Sequence, residues 1–179
     1  MHSRLQFVDD IVHEIITLYI TKGREDYIGE PVSQIEHMSQ CAQLALAYGA
    51  DTDLVLAAFF HDIGHLCADD MATRMGDYGM QSHEEIGAAF LRMRGFSSRV
   101  TTPIINHVRA KRYLTRVDPG YYEKLSHASR ETLALQGGVM SDRRDPAPVL
   151  RAQREHAPMK PPSDGDAQGL ASERIADSV

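Results

Sequence analysis

The chain has 179 residues, 42% of them hydrophobic and 25% charged, enough for one domain with a real core. Its net charge of −6 argues against a nucleic-acid binder, which needs a basic face, and no apolar run is long enough to span a membrane. The polar N-terminus MHSRLQFVDD does not read as a secretory leader, so Cys41 and Cys67 are expected to be reduced thiols in a cytoplasmic setting.

In chain order, Phe7, Ile11, Ile15, Leu18 and Tyr19 recur at helical spacing, and Gly23 can end that helix. Ser33 and Glu36 form a capping-box pattern that opens a second helix through Cys41, Leu44, Ala45 and Tyr48, stopped by Gly49. Asp51 or Thr52 caps a third helix, LVLAAFF, which runs into HDIGH and is apolar on most sides, so it belongs at the centre. Ser82 and Glu85 repeat the capping pattern ahead of Ile86, Ala89, Phe90 and Met93, with Gly95 as the stop. Ser97 or Ser98 opens a helix through Val100, Ile104, Ile105 and Val108; Pro119 then starts YYEKL, and ASRETLALQGG gives a last short helix. Strand-type alternation is absent, and the predicted fold is an all-α bundle.

All twelve aromatic residues lie at or before Tyr122, whereas five of the eight prolines follow residue 140. A segment without aromatics and with mixed charges buries too little to offset its ordering entropy. The expected division is a folded body over 1–140 and a disordered tail over 141–179.

Chemistry concentrates in the histidines, of which there are nine. His61 and Asp62 stand side by side at the end of the most apolar helix, where an unpaired carboxylate would cost several kcal/mol. A metal is a natural partner, because a carboxylate can bridge two cations; a helix-end charge with a capping imidazole is the plain alternative. His37 shares the stripe of Cys41 and Leu44, His83 opens the fourth helix, and His107 lies one turn after Ile104. Singly, each reads as a core histidine. Four histidines and an aspartate on four helices of a bundle read as a metal site. Such donors suit iron, manganese or zinc without choosing among them, and Cys67 reads as a small core residue.

The order H…HD…H…H is that of the HD-domain superfamily, helical metalloproteins that are mostly phosphohydrolases. Longer stretches carry a closer resemblance: DYIGEPVSQIEH (26–37), AAFFHDIGH (57–65), MGDYGMQSHEEIGAAFLR (75–92), NHVRAKRYL (106–114) and LSHASRETLALQGGVM (125–140). They resemble the HD-domain mixed-valent diiron oxygenases that cleave organophosphonates, such as the glycine-forming type acting on 2-amino-1-hydroxyethylphosphonate and its relative acting on the trimethylammonio analogue. The resemblance implies two iron ions, Fe(II) and Fe(III), with O2 as cosubstrate, and oxidative cleavage of a carbon–phosphorus bond to phosphate and glycine or glycine betaine. It implies His37, His61, Asp62, His83 and His107 as iron ligands, with Asp62 bridging. Tyr27 and Glu30 correspond to a mobile pair that meets the substrate, Lys111, Ser129 and Thr132 to the groups that hold the phosphonate, and His65 to a histidine beside the bridging carboxylate. Lys111 follows His107 by one helical turn, so a cation there shares the metal's side of the helix. Whether the substrate nitrogen is primary or quaternary stays open, because Glu30 suits the first and the rings of Tyr27 and Tyr78 the second.

The resemblance also implies a last aspartate ligand in an Arg-x-Trp-Asp context. This chain has no tryptophan, and Asp142, Asp145, Asp164, Asp166 and Asp177 stand in other contexts. The expectation is a tail that is out of frame or replaced, with one ligand and one phosphonate cation missing and activity impaired. His127 stands where the family has an acidic residue. Two other readings remain: a metal-dependent phosphohydrolase of the HD type acting on a nucleotide or phosphate ester, and a degenerate HD module without turnover.

Overall fold

The computed structural model describes residues 4–27, 31–67 and 81–141, and all the regular structure within them is helical. In order these are α1 (Arg4–Lys22), α2 (Gln34–Ala47), α3 (Thr52–Phe60), α4 (Gly64–Cys67), α5 (His83–Met93), α6 (Ser98–Val117), α7 (Pro119–Lys124) and α8 (His127–Leu135). The only extended pairing among the described residues is a single bridge between Asp26 and Ser33. None of the described helices is long and apolar enough to cross a membrane.

Several helix starts form as their local sequence dictates. The Glu36 amide donates to Ser33 Oγ at 3.4 Å while the Ser33 amide donates to Glu36 Oε2 at 2.7 Å, a reciprocal capping box. Asp51 Oδ1 accepts from the Leu54 amide at 3.0 Å, and Asp118 caps α7 directly ahead of Pro119. The pattern at Ser82 and Glu85 does not form. Ser82 takes a left-handed φ of 56°, so its hydroxyl makes no cap hydrogen bond. An N-cap side chain reaches its amides from the extended region, and the turn into α5 holds Ser82 out of it.

The apolar α3 lies between α2 and α6, burying Ala57 and Phe60, while α5 packs on α4 and α6. Met38, Ile63, Leu66, Leu91 and Ile104 are fully buried, and Phe60 meets Phe96 edge-on with ring centres 5.6 Å apart. Helix α1 departs from its predicted stripe. Ile15 and Tyr19 are buried, but Phe7 is 56% exposed. Ile11 packs at the edge of the core, and polar ties anchor the C-terminal half: Glu14 pairs with Arg94, Tyr19 donates to Met38 Sδ at 3.1 Å, and Lys22 donates to the Leu66 carbonyl at 3.0 Å.

Helices α4 and α5 approach unusually closely. A Cβ on Gly64 would stand 1.9 Å from the His83 carbonyl oxygen and 3.0 Å from the Gly87 amide nitrogen. Only a glycine allows this contact. It brings the start of α5 against the turn that carries His61 and Asp62.

Candidate metal centre

Residues from four segments converge on one wall of a cavity of about 310 Å³. His37 comes from α2, His61 and Asp62 from the turn that ends α3, His83 from the first position of α5, and His107 from the middle of α6. Asp62 is buried, and its two oxygens face different histidines. Oδ2 lies 3.1 Å from His61 Nε2 and 3.6 Å from His37 Nε2, whereas Oδ1 lies 3.2 Å from His83 Nε2 and 3.4 Å from His107 Nε2. Within each half the nitrogens are equally close: 3.3 Å between His37 and His61, and 3.0 Å between His83 and His107.

The tautomers follow from the helices themselves. His61 Nδ1 donates to the Ala58 carbonyl and His107 Nδ1 to the Ile104 carbonyl, each at 2.8 Å. A carbonyl can only accept, so in the neutral rings both protons sit on Nδ1 and both Nε2 lone pairs point inward. Each of these lone pairs can accept a proton from the facing ring, His37 or His83, or can bind a cation placed between the two nitrogens. Donors bound to a common ion at about 2.0–2.2 Å stand some 3.0–3.5 Å apart, which is the spacing observed. The residues present therefore fit metal ions, in two sets that share the Asp62 carboxylate: His37, Cys41 and His61 on one side, Asp62, His83 and His107 on the other.

Electrostatics agree. Burial alone would raise the Asp62 carboxyl, but the charge of a protonated His61 and the ring nitrogens of His107, His61 and His83 around its oxygens hold it well below the usual carboxylate range. Burial would favour a neutral His61, yet the Asp62 charge raises its pKa; at His107 burial prevails and lowers it. His65 lies flat against His83, ring centres 4.1 Å apart, and burial pushes its pKa down to about 4.

The rest of the cavity carries the other predicted residues. Tyr27 stacks on His37 with ring centres 3.9 Å apart. Lys111 Nζ donates to Thr132 Oγ1 at 3.0 Å, and Ser129 lines the same wall from the first turn of α8. Glu30 and Tyr78 lie outside the described residues, as do the tail aspartates Asp142, Asp145, Asp164, Asp166 and Asp177. His127 does not face the cavity; its side chain is 85% exposed, 4.0 Å from Glu131.

Four cavity residues escaped the sequence reading. Cys41 joins a donor set, Tyr121 lines the wall with its hydroxyl pKa raised by burial, and Gln34 and Gln136 each hold a buried Oε1 without a hydrogen-bond partner. Cys41 had a usable signal, four residues after His37 on one helix face. The other three are brought in by tertiary packing.

Comparison with known proteins fits this geometry. The HD-domain family profile matches residues 35–163. The chain is 47% identical over 141 residues to an uncharacterized protein of Acanthamoeba polyphaga mimivirus, covering 78% of this chain and 64% of that one. It is 40% identical over 131 residues to the [1-hydroxy-2-(trimethylamino)ethyl]phosphonate dioxygenase (glycine-betaine-forming) of Leisingera caerulea, covering 73% and 66% respectively. With a hydroxymethylphosphonate dioxygenase of Gimesia maris it shares 40% identity over 119 residues, covering 66% and 59%. The chain thus spans somewhat under two thirds of each of these relatives. With the profile covering most of its length and the His/Asp cluster assembled on the bundle, this chain is a member of the HD-domain family.

Proposed function

We propose that this chain is the metal-binding body of a dioxygenase that cleaves the carbon–phosphorus bond of a small 1-hydroxyphosphonate. The observation that carries the reading is that one cavity is lined both by two donor sets that flank Asp62 and by the Lys111–Thr132 pair with Ser129. Two relatives support the substrate class, since both of their names specify a phosphonate with a hydroxyl on the adjacent carbon.

On this reading His37, His61, Asp62, His83 and His107 hold two iron ions, and the bound pair supplies dioxygen activation and chelation of the substrate hydroxyl. The chain's own residues do the rest. Lys111 sets a cation at the phosphonate, and the Ser129 and Thr132 hydroxyls offer directional hydrogen bonds to its oxygens. Val108, Leu114, Leu125 and Ala128 give the cavity an apolar wall that limits water near the reacting carbon. Tyr27 holds the His37 ring from one face, and Glu30 is proposed to meet the substrate's nitrogen. Neutral His65 packs on His83 and fixes that ring's angle.

The net reaction balances without a further reductant. The hydroxylated carbon leaves as a carboxylate and phosphorus as phosphate, each gaining one oxygen atom from O2, with one proton released. The substrates proposed are 1-hydroxy-2-aminoethylphosphonate, giving glycine, and its trimethylammonio analogue, giving glycine betaine. The test is the full chain loaded with iron(II) and ascorbate, each phosphonate supplied in turn, with oxygen uptake and phosphate release followed together. The two should proceed in step and stop under nitrogen. Phosphate release that continues at the same rate without oxygen would instead establish a phosphohydrolase.

A further inference from the structure

The two donor sets differ in one atom type. Asp62, His83 and His107 offer oxygen and nitrogen, whereas His37, Cys41 and His61 include a sulfur. Cys41 lies one turn beyond His37 on α2, half-buried in the cavity wall, with Sγ 3.8 Å from His37 Nε2. An ion bound tetrahedrally at about 2.3 Å from sulfur and 2.05 Å from nitrogen sets sulfur and nitrogen about 3.6 Å apart and two nitrogens about 3.3 Å apart. The observed separations, 3.8 Å from Cys41 to His37 and 3.3 Å from His37 to His61, match that pattern closely.

We propose that Cys41 is a metal donor, which makes the His37–Cys41–His61 position a sulfur-bearing site selective for borderline and soft ions such as zinc, cobalt(II) and copper(I). The Asp62–His83–His107 position keeps the harder preference of a carboxylate and two imidazoles. This rests on the dimetal reading above and deepens it: the two halves load with different preferences, and zinc competes for the sulfur half first. As the metal–sulfur bond forms, the thiol proton passes to buffer. Cys67 has no part in this. It sits near Lys22, Arg94 and Glu14, where burial pushes its thiol up to about 12.

The experiment titrates the chelator-treated full chain with cobalt(II) chloride and records the absorption spectrum. A thiolate-to-cobalt charge-transfer band in the near ultraviolet should accompany the visible cobalt bands in the wild type and in Cys67→Ser. In Cys41→Ser the near-ultraviolet band should vanish while visible absorption persists, and zinc affinity should fall at least about tenfold. Alkylation with iodoacetamide, read by peptide mass, needs no variant: bound cobalt should protect Cys41. Bound cobalt without the charge-transfer band, or a Cys41 that alkylates equally fast with cobalt bound, overturns the sulfur donor alone. A chain that binds no cobalt overturns it together with the metal centre. Neither result depends on oxygen-coupled phosphate release, so failure of the proposed reaction is read separately.

Discussion

Gly64→Ala tests whether the site depends on the contact between α4 and α5. The new Cβ would lie 1.9 Å from the His83 carbonyl oxygen, and real Cβ atoms keep at least about 3.0 Å, so the two backbones must separate by about 1.1 Å. Because the obstacle is main chain, no side-chain rotation relieves it. Overpacking of this kind costs typically 1–3 kcal/mol, and a rigid backbone clash belongs at the upper end, near 3 kcal/mol. For a chain of this size that lowers Tm by about 10 °C. The effect on metal is more telling. Asp62 Oδ1 and His83 Nε2 are 3.2 Å apart, and metal–ligand distances tolerate only about 0.2 Å, so a shift of about 1.1 Å detaches one half of the site. Thermal unfolding and metal analysis after desalting check both parts. Gly49→Ala is the control, since its Cβ would meet nothing within 4 Å, although its φ of +72° adds some strain of its own. A Gly64→Ala protein that melts within about 1 kcal/mol of wild type and retains its full metal content would refute the reasoning.

Three further outcomes follow from the geometry. Asp62→Asn removes the shared charge, so bound iron should fall from about two equivalents to one or fewer and oxygen uptake by more than about a hundredfold, with iron analysis as the check. Lys111→Met should reduce kcat/KM for the phosphonate about 10- to 100-fold, the worth of one charged hydrogen bond, and leave iron content unchanged. For the metal-free chain, His65 has a folded pKa of about 4 against 6.5 unfolded, so the unfolded state binds more protons between these values. Stability should be flat in this term above pH 6.5 and decline as pH falls toward 4, by at most about 3 kcal/mol. Urea unfolding across that window should show a slope that His65→Gln flattens; equal slopes in the two proteins would remove His65 as the cause.

What could be read from the sequence was mostly what a few neighbouring residues decide among themselves. Ser33 with Glu36, Asp51 with Leu54, and Asp118 with Pro119 satisfy helix-end amides within three positions, and each forms as the sequence suggests. Ser82 with Glu85 carries the same signal and fails, because the preceding turn fixes a left-handed φ that the pair cannot express. Helix α1 shows the other limit. Periodicity gave Phe7 and Tyr19 equal standing, but Tyr19 is buried where α1 meets Met38 and α4, whereas Phe7 is left 56% exposed. The site divides in the same way. The order of His37, His61, Asp62, His83 and His107 was legible because each type is rare and chemically specific. Cys41 was read as part of an apolar stripe, and nothing short of packing brings Gln34, Tyr121 and Gln136 to the same cavity.

Helix α6 links the two ends of the proposed reaction. It carries His107 at the metal wall and Lys111 four residues on, so their separation along the axis is about 6 Å, set by the helix rise. That rise places the two side chains one turn apart on the same side of α6, and the bond from Lys111 Nζ to Thr132 Oγ1 keeps the ammonium at the cavity. On the proposed reading an anion at Lys111 and a hydroxyl on the His107 side are joined by few bonds, as in a phosphonate whose hydroxyl is on the carbon bearing phosphorus. A nucleotide monophosphate holding its phosphate at Lys111 would present a sugar to the metals and would have to fit its base into the remainder of about 310 Å³. The same helix supplies the Ile104 carbonyl that fixes the His107 tautomer at 2.8 Å. A substrate series in which the hydroxyl moves from the first to the second carbon of the phosphonate therefore isolates this constraint. Turnover should be lost with the 2-hydroxy isomer while its phosphonate still competes at Lys111, and equal turnover of the two isomers would show that α6 does not set the spacing.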